Sequence, residues 1–279
     1  MISNNSHIAT DEEGSLSLLQ ITDTHLFANE QGDLLGVKTT QSLNAVVDHI
    51  IKKDHAFDAI LSTGDIVQDQ SEAAYRTFCQ QIKRLNSPCY NLPGNHDEQQ
   101  MMGKVLREEG FFQPNILESN YWTIIFLNTQ VPGVPHGFLA TEQFSFLEEA
   151  LQQKQSLKNG KKVLVCMHHH ALAVGSEWLD QHILKNSVDF IALISNYACV
   201  KGVLSGHVHQ SLDRLLNGVR FLSTPSTSVQ FKPLSKGFAV DTLTQGFRLI
   251  TLKKSGIIET HVERIETDEF LADALSQGY

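Results

Sequence analysis

The stretch SLSLLQITDTH, residues 15–25, decides how the fold is interpreted. Its apolar part, 15–21, has the length and character of a buried β-strand. Asp23 and His25 follow at once, two residues apart, a spacing at which both side chains of an extended chain can point the same way. Because ligands bind at the carboxyl ends of strands in α/β sheets, the stretch predicts one corner of a functional site.

Segments with the patterns of strands and of helices alternate through most of the chain. Apolar residues recur with helical spacing in 39–54, 71–85 and 141–157, and Thr141 is a candidate N-cap. Short apolar runs typical of buried strands occupy 57–63, 88–92, 121–128, 161–167 and 200–205. The alternation predicts an α/β fold.

The chain changes character after residue 210. Residues 218–224 and 247–265 are typical of strands joined by tight turns, and Ser255-Gly256 is a candidate hairpin apex. The simplest architecture is one domain over 1–279 with two sheets. Its expected parts are a polar tail at 1–14, an α/β body at 15–210 that carries the candidate site, and a β-rich part at 211–279 that completes the second sheet and the pocket.

Composition and charge restrict the class of protein. The formal net charge of −9 argues against a surface that grips nucleic acid. No apolar run approaches the roughly 18 residues of a membrane helix, and the polar N-terminus lacks the apolar segment of a signal peptide. The four cysteines have neither metal-type nor disulfide-type spacing. We therefore expect a cytoplasmic protein without nucleic-acid or membrane partners, either a monomer or a homodimer.

Four more strand ends deliver polar side chains of the same types. Each piece alone is compatible with an ordinary turn or a solvated pair, but five strand ends in succession favour a shared site. The four stretches are STGDIVQD with Asp65 and Asp69, LPGNHDE with Asn95, His96 and Asp97, MHHHA with His168, His169 and His170, and LSGHVHQ with His207 and His209.

The residue types indicate what such a site would hold. Carboxylate, amide and imidazole groups without thiolate favour a divalent metal such as manganese, iron or zinc. There are more candidate ligands than one metal ion needs. One carboxylate can bridge two ions about 3.5–4 Å apart, and such pairs of ions catalyse the hydrolysis of phosphate esters. The candidate ligands are Asp23, His25, Asp65, Asn95, His168, His207 and His209. The residues thus predict a binuclear metallohydrolase.

The motifs D-x-H, G-D, G-N-H-D, a strand ending in H-H, and G-H-x-H, in this order, resemble the calcineurin-like metallophosphoesterases over residues 23–209. The further stretches LLQITDTHLFA, LLGV, LPGNHD, GVPHG, WLDQH, GHVHQ and TPSTSVQFKP resemble the bacterial class III 3′,5′-cyclic-AMP phosphodiesterases over almost the whole chain. The resemblance implies a four-layer α/β/β/α sandwich of two mixed sheets flanked by helices, with a dinuclear site at one edge.

The resemblance also implies roles for individual residues. The first metal would be held by Asp23, His25, Asp65 and His209, and the second by Asp65 as the bridge with Asn95, His168 and His207. His96 would be the catalytic residue that stabilises the charge or protonates the leaving oxygen, while a metal-bridging hydroxide opens cyclic AMP to 5′-AMP. Residues expected at the substrate are His25, Asp65, Asn95, His96, His169 and His209. The two divalent ions would be iron or manganese, with zinc or cobalt as alternatives.

Two departures from the family pattern leave questions open. Many relatives carry an aspartate where this chain has Gln68, so either Asp69 or Asp97 would have to support His96. Many also carry a proline after the histidine pair, where this chain has a third histidine and then alanine. The family pattern selects the first histidine, His168, as the ligand; the second would lie beside the site or in the pocket, and the third would be incidental.

The pocket walls, which select the substrate, are less well determined by sequence. The hydroxyl-rich stretch 223–231 is expected to form part of a wall, and Phe27, Trp178 and Phe231 are candidates to stack on a base. Alternative functions are the same chemistry on a glycerophosphodiester, a 2′,3′-cyclic nucleotide or a nucleotide-lipid pyrophosphate. A protein phosphatase and a non-catalytic scaffold of the same fold are more distant alternatives.

Overall fold

The computed structural model describes residues 5–156, 160–276 and 278. The strands in chain order are β1 (Asn5–His7), β2 (Leu16–Ile21), β3 (Asp33–Leu34), β4 (Val37–Lys38), β5 (Ala59–Ser62), β6 (Cys89–Asn91), β7 (Ile116–Glu118), β8 (Trp122–Phe126), β9 (Lys162–Cys166), β10 (Val200–Ser205), β11 (Leu212–Leu216), β12 (Val219–Ser223), β13 (Gly246–Leu252) and β14 (Ile258–Arg264). The helices are α1 (Thr39–Lys52), α2 (Glu72–Lys83), α3 (Gln99–Glu108), α4 (Thr141–Ser156), α5 (Glu177–Asp180) and α6 (Ser187–Ser195).

Two mixed sheets form the centre of the molecule. The larger has seven strands in the order β1-β7-β8-β9-β10-β12-β11, and the smaller has five in the order β14-β13-β2-β5-β6. Parallel pairs join β8, β9, β10 and β12 in one sheet and β2, β5 and β6 in the other. The carboxyl ends of β2, β5, β6, β9 and β10 are the five strand ends that carry the motifs.

Strands buried on both faces explain the nearly continuous apolar runs in the sequence. In β2, Leu18 packs between the two sheets, whereas Leu19 and Ile21 pack under the helices. In β9, Leu164 faces the space between the sheets and Val165 faces the opposite helical layer. Alternating side chains therefore serve two different cores, and both faces of these strands are largely apolar.

Three apolar clusters correspond to the three interfaces of a four-layer sandwich. The first lies between the five-stranded sheet and the helices α1, α2 and α3. The second lies between the seven-stranded sheet and the helices α4 and α6. The third lies between the sheets and contains the fully buried Trp122. The α/β/β/α architecture expected from the resemblance is confirmed.

Most of the predicted elements agree with the structure to within a few residues. Helix α1 begins at Thr39, as predicted, and α2 is capped by Ser71, whose Oγ accepts from the Ala74 N–H at 3.2 Å. The hairpin of β13 and β14 turns at Ser255-Gly256. Helix α4 covers the predicted segment as far as residue 156, and residue 157 lies outside the described residues.

The structure differs from the prediction in the C-terminal part. The stretch 211–279 was expected to complete the second sheet, but β11 and β12 join the seven-stranded sheet while β13 and β14 join the five-stranded one. The reason is that β12 runs parallel to β10 and so extends that sheet, and the chain crosses to the other sheet only at β13. No helix in the described part of the chain is long and apolar enough to span a membrane.

Candidate metal centre

Seven predicted ligands from five loops meet at one edge of the sandwich. Three loops belong to the five-stranded sheet: the loop after β2 bears Asp23 and His25, the loop after β5 bears Asp65, and the loop after β6 bears Asn95. The other two follow β9 and β10 of the seven-stranded sheet and bear His168, His207 and His209. The site is therefore built jointly by both sheets, and six of the seven side chains are buried, with Asn95 half-buried.

The first cluster consists of Asp23, His25, Asp65 and His209. The Nε2 atoms of His25 and His209 are 3.2 Å apart, and His209 Nε2 is 3.2 Å from Asp23 Oδ1. His25 Nε2 is 3.9 Å from Asp65 Oδ2. Each imidazole uses its other nitrogen as a donor: His25 Nδ1 to Gln68 Oε1 at 2.7 Å, and His209 Nδ1 to the Val229 carbonyl at 2.9 Å.

That hydrogen bonding assigns the tautomers, since Nδ1–H must donate to an oxygen that only accepts. Both Nε2 atoms then carry lone pairs that face each other and the carboxylate of Asp23. Converging lone pairs with no proton between them repel, and a cation at their centre removes the repulsion. The donors of the first cluster therefore fit a divalent metal.

The second cluster also brings possible ligand atoms together. His168 Nδ1 donates to the Thr63 carbonyl at 2.7 Å, so its Nε2 points at three further possible ligand atoms. These are Asn95 Oδ1 at 3.1 Å, Asp65 Oδ2 at 3.2 Å and His207 Nδ1 at 3.2 Å. Asp65 contacts the ligands of both clusters, as a bridging carboxylate must. Residues of the two clusters also appear among the groupings whose ligand atoms all lie within 4.8 Å of one another.

The pKa values of the clustered side chains indicate which of them carry protons at the places where cations would bind. Burial opposes the charge of Asp65, but His168 and then His96 hold the pKa of that carboxyl well below its ordinary value. Burial likewise opposes the charge of His168, but the charge of Asp65 and a hydrogen bond to it raise the pKa of His168 to about 9. Burial lowers the pKa of His25 to about 3. Metal ligands must be deprotonated, so a cation bound at His168 displaces its proton.

The backbone that presents the ligands is strained. Extended geometry was expected to align the paired residues of D-x-H and H-x-H, but these residues lie beyond the strand ends in left-handed conformation. A positive φ costs a residue other than glycine about 1–3 kcal/mol, and such residues cluster at functional sites. The site residues with positive φ are Asp23 at 54°, His25 at 46°, Asp65 at 50°, His207 at 68° and His209 at 49°.

Glycines precede three of the ligand positions because the loops approach one another closely. A Cβ on Gly94 would lie 2.2 Å from Asp65 Oδ1, and one on Gly206 would lie 2.2 Å from Thr22 Oγ1. Both distances are far inside van der Waals contact. The glycines of G-N-H-D and G-H-x-H therefore let the five loops share one small volume.

The structure gives Asp69, Asp97 and Gln68 separate tasks. Asp97 accepts from the Gly94 N–H at 2.9 Å, the Ile66 N–H at 3.1 Å and the Tyr75 hydroxyl at 3.1 Å, and so ties two ligand loops together. Asp69 accepts from the Ala28 N–H at 2.7 Å and the Ser71 hydroxyl at 2.6 Å. Gln68, at the position of the family's aspartate, orients His25. The departure from the family pattern was the only sequence signal for that role.

His96 lies beside the metal clusters. Its backbone N–H donates to Asp65 Oδ1 at 2.8 Å, and its ring lies edge-on to that of His25 with centroids 4.9 Å apart. The half-buried side chain also lines the cavity described below. His96 therefore borders both the candidate metal clusters and the cavity.

The three consecutive histidines occupy different environments. His168 is in the second cluster, and His169 Nδ1 is bonded to Thr129 Oγ1 at 2.8 Å while its Nε2 is buried without a partner. His170 was expected to be incidental, but its buried ring stacks on His207 with centroids 5.6 Å apart and planes 20° apart. Thr129 had no signal in the sequence, and His170 had none beyond its place in the histidine tract, because both act through contacts with residues distant in the chain.

A cavity of about 450 Å³ opens above the second cluster. Asn95, His96 and His207 form its floor. Its walls include Val134, Pro135, Trp178, His182, Phe231 and Phe238. None of the described residues that line it is Asp, Glu, Lys or Arg, so a histidine is the only type of lining side chain that could be charged.

The stretch 223–231 contributes differently from the expected wall. The hydroxyls of Ser226 and Ser228 donate to the Asp23 carbonyl at 2.7 and 2.9 Å, so they hold the strained D-x-H loop and leave the wall to other residues. Phe231 lines the cavity, but its ring stacks on that of His209 at 4.2 Å. The hydroxyl-rich segment therefore acts mainly behind the metal ligands.

Comparison with known proteins gives consistent results. The sequence profile of the calcineurin-like phosphoesterases matches residues 16–211. A protein of Vibrio vulnificus (strain CMCP6) named 3′,5′-cyclic adenosine monophosphate phosphodiesterase CpdA is 46% identical over 276 residues, covering 98% of this chain and 99% of its own. The protein of the same name from Escherichia coli (strain K12) is 42% identical over 268 residues, covering 96% of both chains.

Solved structures support the fold. A dimetal phosphatase from Danio rerio superimposes with a TM-score of 0.59 at 12% identity, covering 90% of this chain and 99% of its own. At that identity the likeness concerns the fold alone. With the match of the profile over most of the chain and relatives above 40% identity along nearly its full length, the chain belongs to the calcineurin-like phosphoesterase family.

Proposed function

We propose that this protein is a metal-dependent phosphodiesterase that hydrolyses 3′,5′-cyclic AMP to 5′-AMP. The observation that carries the proposal is the pair of carboxylate and imidazole clusters joined by Asp65, beside a cavity whose described lining bears no Asp, Glu, Lys or Arg. The substrate in this proposal is inferred from the near full-length relatives, which are named as cyclic AMP phosphodiesterases.

The metal ligands in this proposal are those that the sequence predicted. Asp23, His25, Asp65 and His209 would hold the first cation, and Asp65, Asn95, His168 and His207 would hold the second. When bound, two divalent cations would supply a water molecule of lowered pKa as the nucleophile and would neutralise phosphoryl charge. The nitrogen-rich donor set without thiolate supports iron or manganese as the metal pair, with zinc and cobalt as alternatives.

The protein's own contribution to the reaction is orientation and proton transfer. Water oxygen bonds to phosphorus, the bond from phosphorus to the ribose 3′ oxygen breaks, and that oxygen must gain a proton as it leaves. His96 is the group that supplies this proton, because its half-buried ring lies on the floor of the cavity beside the metal ligands. His169, held by Thr129 and with its ring centroid 4.7 Å from that of His207, is proposed to contact the substrate.

The cavity argues against two of the alternative phosphodiesters. A nucleotide-lipid pyrophosphate has a second anionic phosphate, for which a pocket would be expected to offer Lys or Arg. A glycerophosphodiester offers hydroxyls and, in the common cases, a charged head group, whereas the described walls are largely aromatic and aliphatic. A non-catalytic scaffold is disfavoured because no predicted ligand is missing or turned away from the site.

The proposals about binding partners and cellular location rest on the amino-acid sequence. The substrate is a small cyclic nucleotide, and the acidic chain gives no reason to expect nucleic acid or membrane as a partner. None of the four cysteines, all within the described residues, is paired in a disulfide, which supports the proposed cytoplasmic location. The oligomeric state is proposed as monomer or homodimer.

A substrate panel with metal-reconstituted protein tests the proposal. We expect kcat/KM for 3′,5′-cyclic AMP to exceed that for 2′,3′-cyclic AMP, glycerophosphocholine and bis-p-nitrophenyl phosphate, with 5′-AMP as the product. H96A should keep its metals, measured by mass spectrometry, and lose about 10²–10⁴ in kcat. Preference for another diester of the panel would replace the substrate, and an unchanged kcat in H96A would remove His96 from the mechanism.

A further inference from the structure

The cavity above the second cluster has two chemically different parts. Its floor, with Asn95, His96 and His207, belongs to the phosphate site, whereas its far wall consists of aromatic rings. His182 connects the two, since its ring centroid lies 6.2 Å from that of His207 and 6.2 Å from that of Trp178. A ligand held by its phosphate on the floor would reach the aromatic wall with its other end.

Of the three aromatic residues that the sequence offered for stacking, the structure favours one. Phe231 is only 2% exposed, and its ring already stacks on His209. Phe27 packs closely against Gly32 and is absent from the described residues that line the cavity. Trp178 lines the cavity and is half-buried, so part of its indole is open to a ligand.

The indole of Trp178 is held in place before any ligand arrives. Its Nε1–H donates to Ser235 Oγ at 3.2 Å. Phe231 and Phe238 contact it edge to face, with centroids 4.9 and 5.0 Å away. A ring fixed on its edge and sides loses little entropy on binding, so it provides a preorganised flat surface.

We propose that Trp178, backed by Phe238, is the stacking platform for the nucleobase, and that the cavity therefore selects a planar, uncharged ring system attached to the phosphate. This inference rests on the proposed function and names the part of the site that recognises the base. Stacking suits such a wall because every base has a π face, and the described lining offers no charged group that would favour an ionic substituent.

Kinetics of two variants test the platform. W178A should raise KM for cyclic AMP about tenfold with kcat changed by less than about twofold, since stacking acts on binding. W178F should restore most of the wild-type KM, because it keeps an aromatic face. The Ki of inorganic phosphate and of ribose 5-phosphate as competitive inhibitors should be the same in all forms. F112A, which removes a ring that is 45% exposed beside Tyr90, is the matched control with wild-type KM.

Tryptophan fluorescence gives an independent measurement on the unaltered protein. The chain has two tryptophans, and Trp122 is fully buried between the sheets. Titration with 5′-AMP should quench the emission of Trp178, whereas ribose 5-phosphate, which lacks the base, should not. W178F, with Trp122 as its only tryptophan, should show no quenching by either compound.

The outcomes separate this inference from the proposed function. An unchanged KM in W178A, or equal quenching by 5′-AMP and ribose 5-phosphate, overturns the platform even if cyclic AMP is hydrolysed. Wild-type protein that fails to hydrolyse cyclic AMP refutes the proposed substrate, while selective quenching by 5′-AMP would still support a base platform for another nucleotide.

Discussion

Two imidazole lone pairs that face each other at 3.2 Å, as those of His25 and His209 do, are stable together only when something positive lies between them. The partners on the far side of each ring decide this arrangement, because Gln68 and the Val229 carbonyl both accept and so force the proton onto Nδ1. Partners of this kind orient metal-binding histidines and tune their basicity. The site is thus prepared by residues that would never touch the metal.

Gln68 offers the clearest test of that preparation. We expect Q68A to weaken binding of the first metal about 10–100-fold, because His25 loses the acceptor that fixes its tautomer and ring orientation. Q68E should recover most of the affinity, since a carboxylate accepts the same hydrogen bond. Chelator competition measures the affinities, and Q152A, at an exposed position of α4, is the control. Wild-type affinity in Q68A would show that His25 needs no such support.

The three adjacent histidines should separate in an alanine series. H168A should lose about one of two bound metals, whereas H169A and H170A should keep both, because only His168 points its free nitrogen at Asn95 and Asp65. H170A should also lower the free energy of unfolding by about 2 kcal/mol through the cavity left beside His207. Metal content and thermal denaturation measure the two effects. Loss of a metal in H169A would make His169 a ligand.

At this scale the sequence predicted the candidate ligands but not the residues that hydrogen-bond to them or pack against them. Asp23, Asp65 and His168 belong to motifs in which the residue type itself states the chemistry. The contacts of Gln68 with His25 and of His170 with His207 depend on where distant loops meet. The left-handed φ of the Asp and His residues cannot be inferred from residue type, because even these types adopt it only in a minority of cases.

At the scale of elements, strands and helices were predicted correctly where burial produces a recognisable pattern of apolar residues in the sequence. Strands β2 and β9 are buried on both faces, so their sequences are mainly runs of apolar residues. Strand β11 was missed because it is an edge strand with four of its five residues exposed, Leu215 and Leu216 among them. The Asn217-Gly218 turn, with φ of 52° and 78°, was the available signal for the hairpin of β11 and β12. Helix α3 was missed because its apolar face is only three residues wide.

The attachment of helix α4 to the seven-stranded sheet should depend on pH. Glu118 of β7 pairs with Lys154 of α4 and with Lys161 before β9, and the three side chains are at most 24% exposed. Burial opposes the charge of Glu118, but hydrogen bonds from both lysines lower its pKa below the ordinary 4.5. A carboxyl with a lowered folded pKa contributes stability above its unfolded value and loses that contribution as the pH falls through the folded one.

We therefore expect E118Q to be less stable than wild type by about 2 kcal/mol at pH 7, with the difference shrinking below about pH 4.5. Denaturant unfolding followed between pH 3 and 7 measures the difference at each pH. E30Q, in an exposed loop, is the control and should follow the wild-type curve throughout. A difference that stays constant down to pH 3 would show that Glu118 acts through packing and not through its charge.

At the scale of the whole molecule, the site joins the two sheets. Asp23, His25, Asp65 and Asn95 come from loops of the five-stranded sheet, and the other three ligands come from the seven-stranded one. Between the sheets below them lies an apolar core, with Arg248 and Gln20 as buried polar exceptions that hydrogen-bond through Thr224. Cations bound across the edge would therefore hold together layers that are otherwise joined mainly by apolar contact.

Metal removal should accordingly destabilise the entire fold. A metal present at 100 times its Kd stabilises by about 2.7 kcal/mol, which for a chain of this size corresponds to a rise in Tm of roughly 5 °C. We expect chelated protein to melt at a Tm lower by that amount and manganese to restore it.

D65N removes the carboxylate shared by both clusters, so its Tm should respond little to either treatment and its metal content should fall by more than one ion. If D65N retained two metals and the full manganese response, Asp65 would not be the bridge, and the sheets would be held together without it.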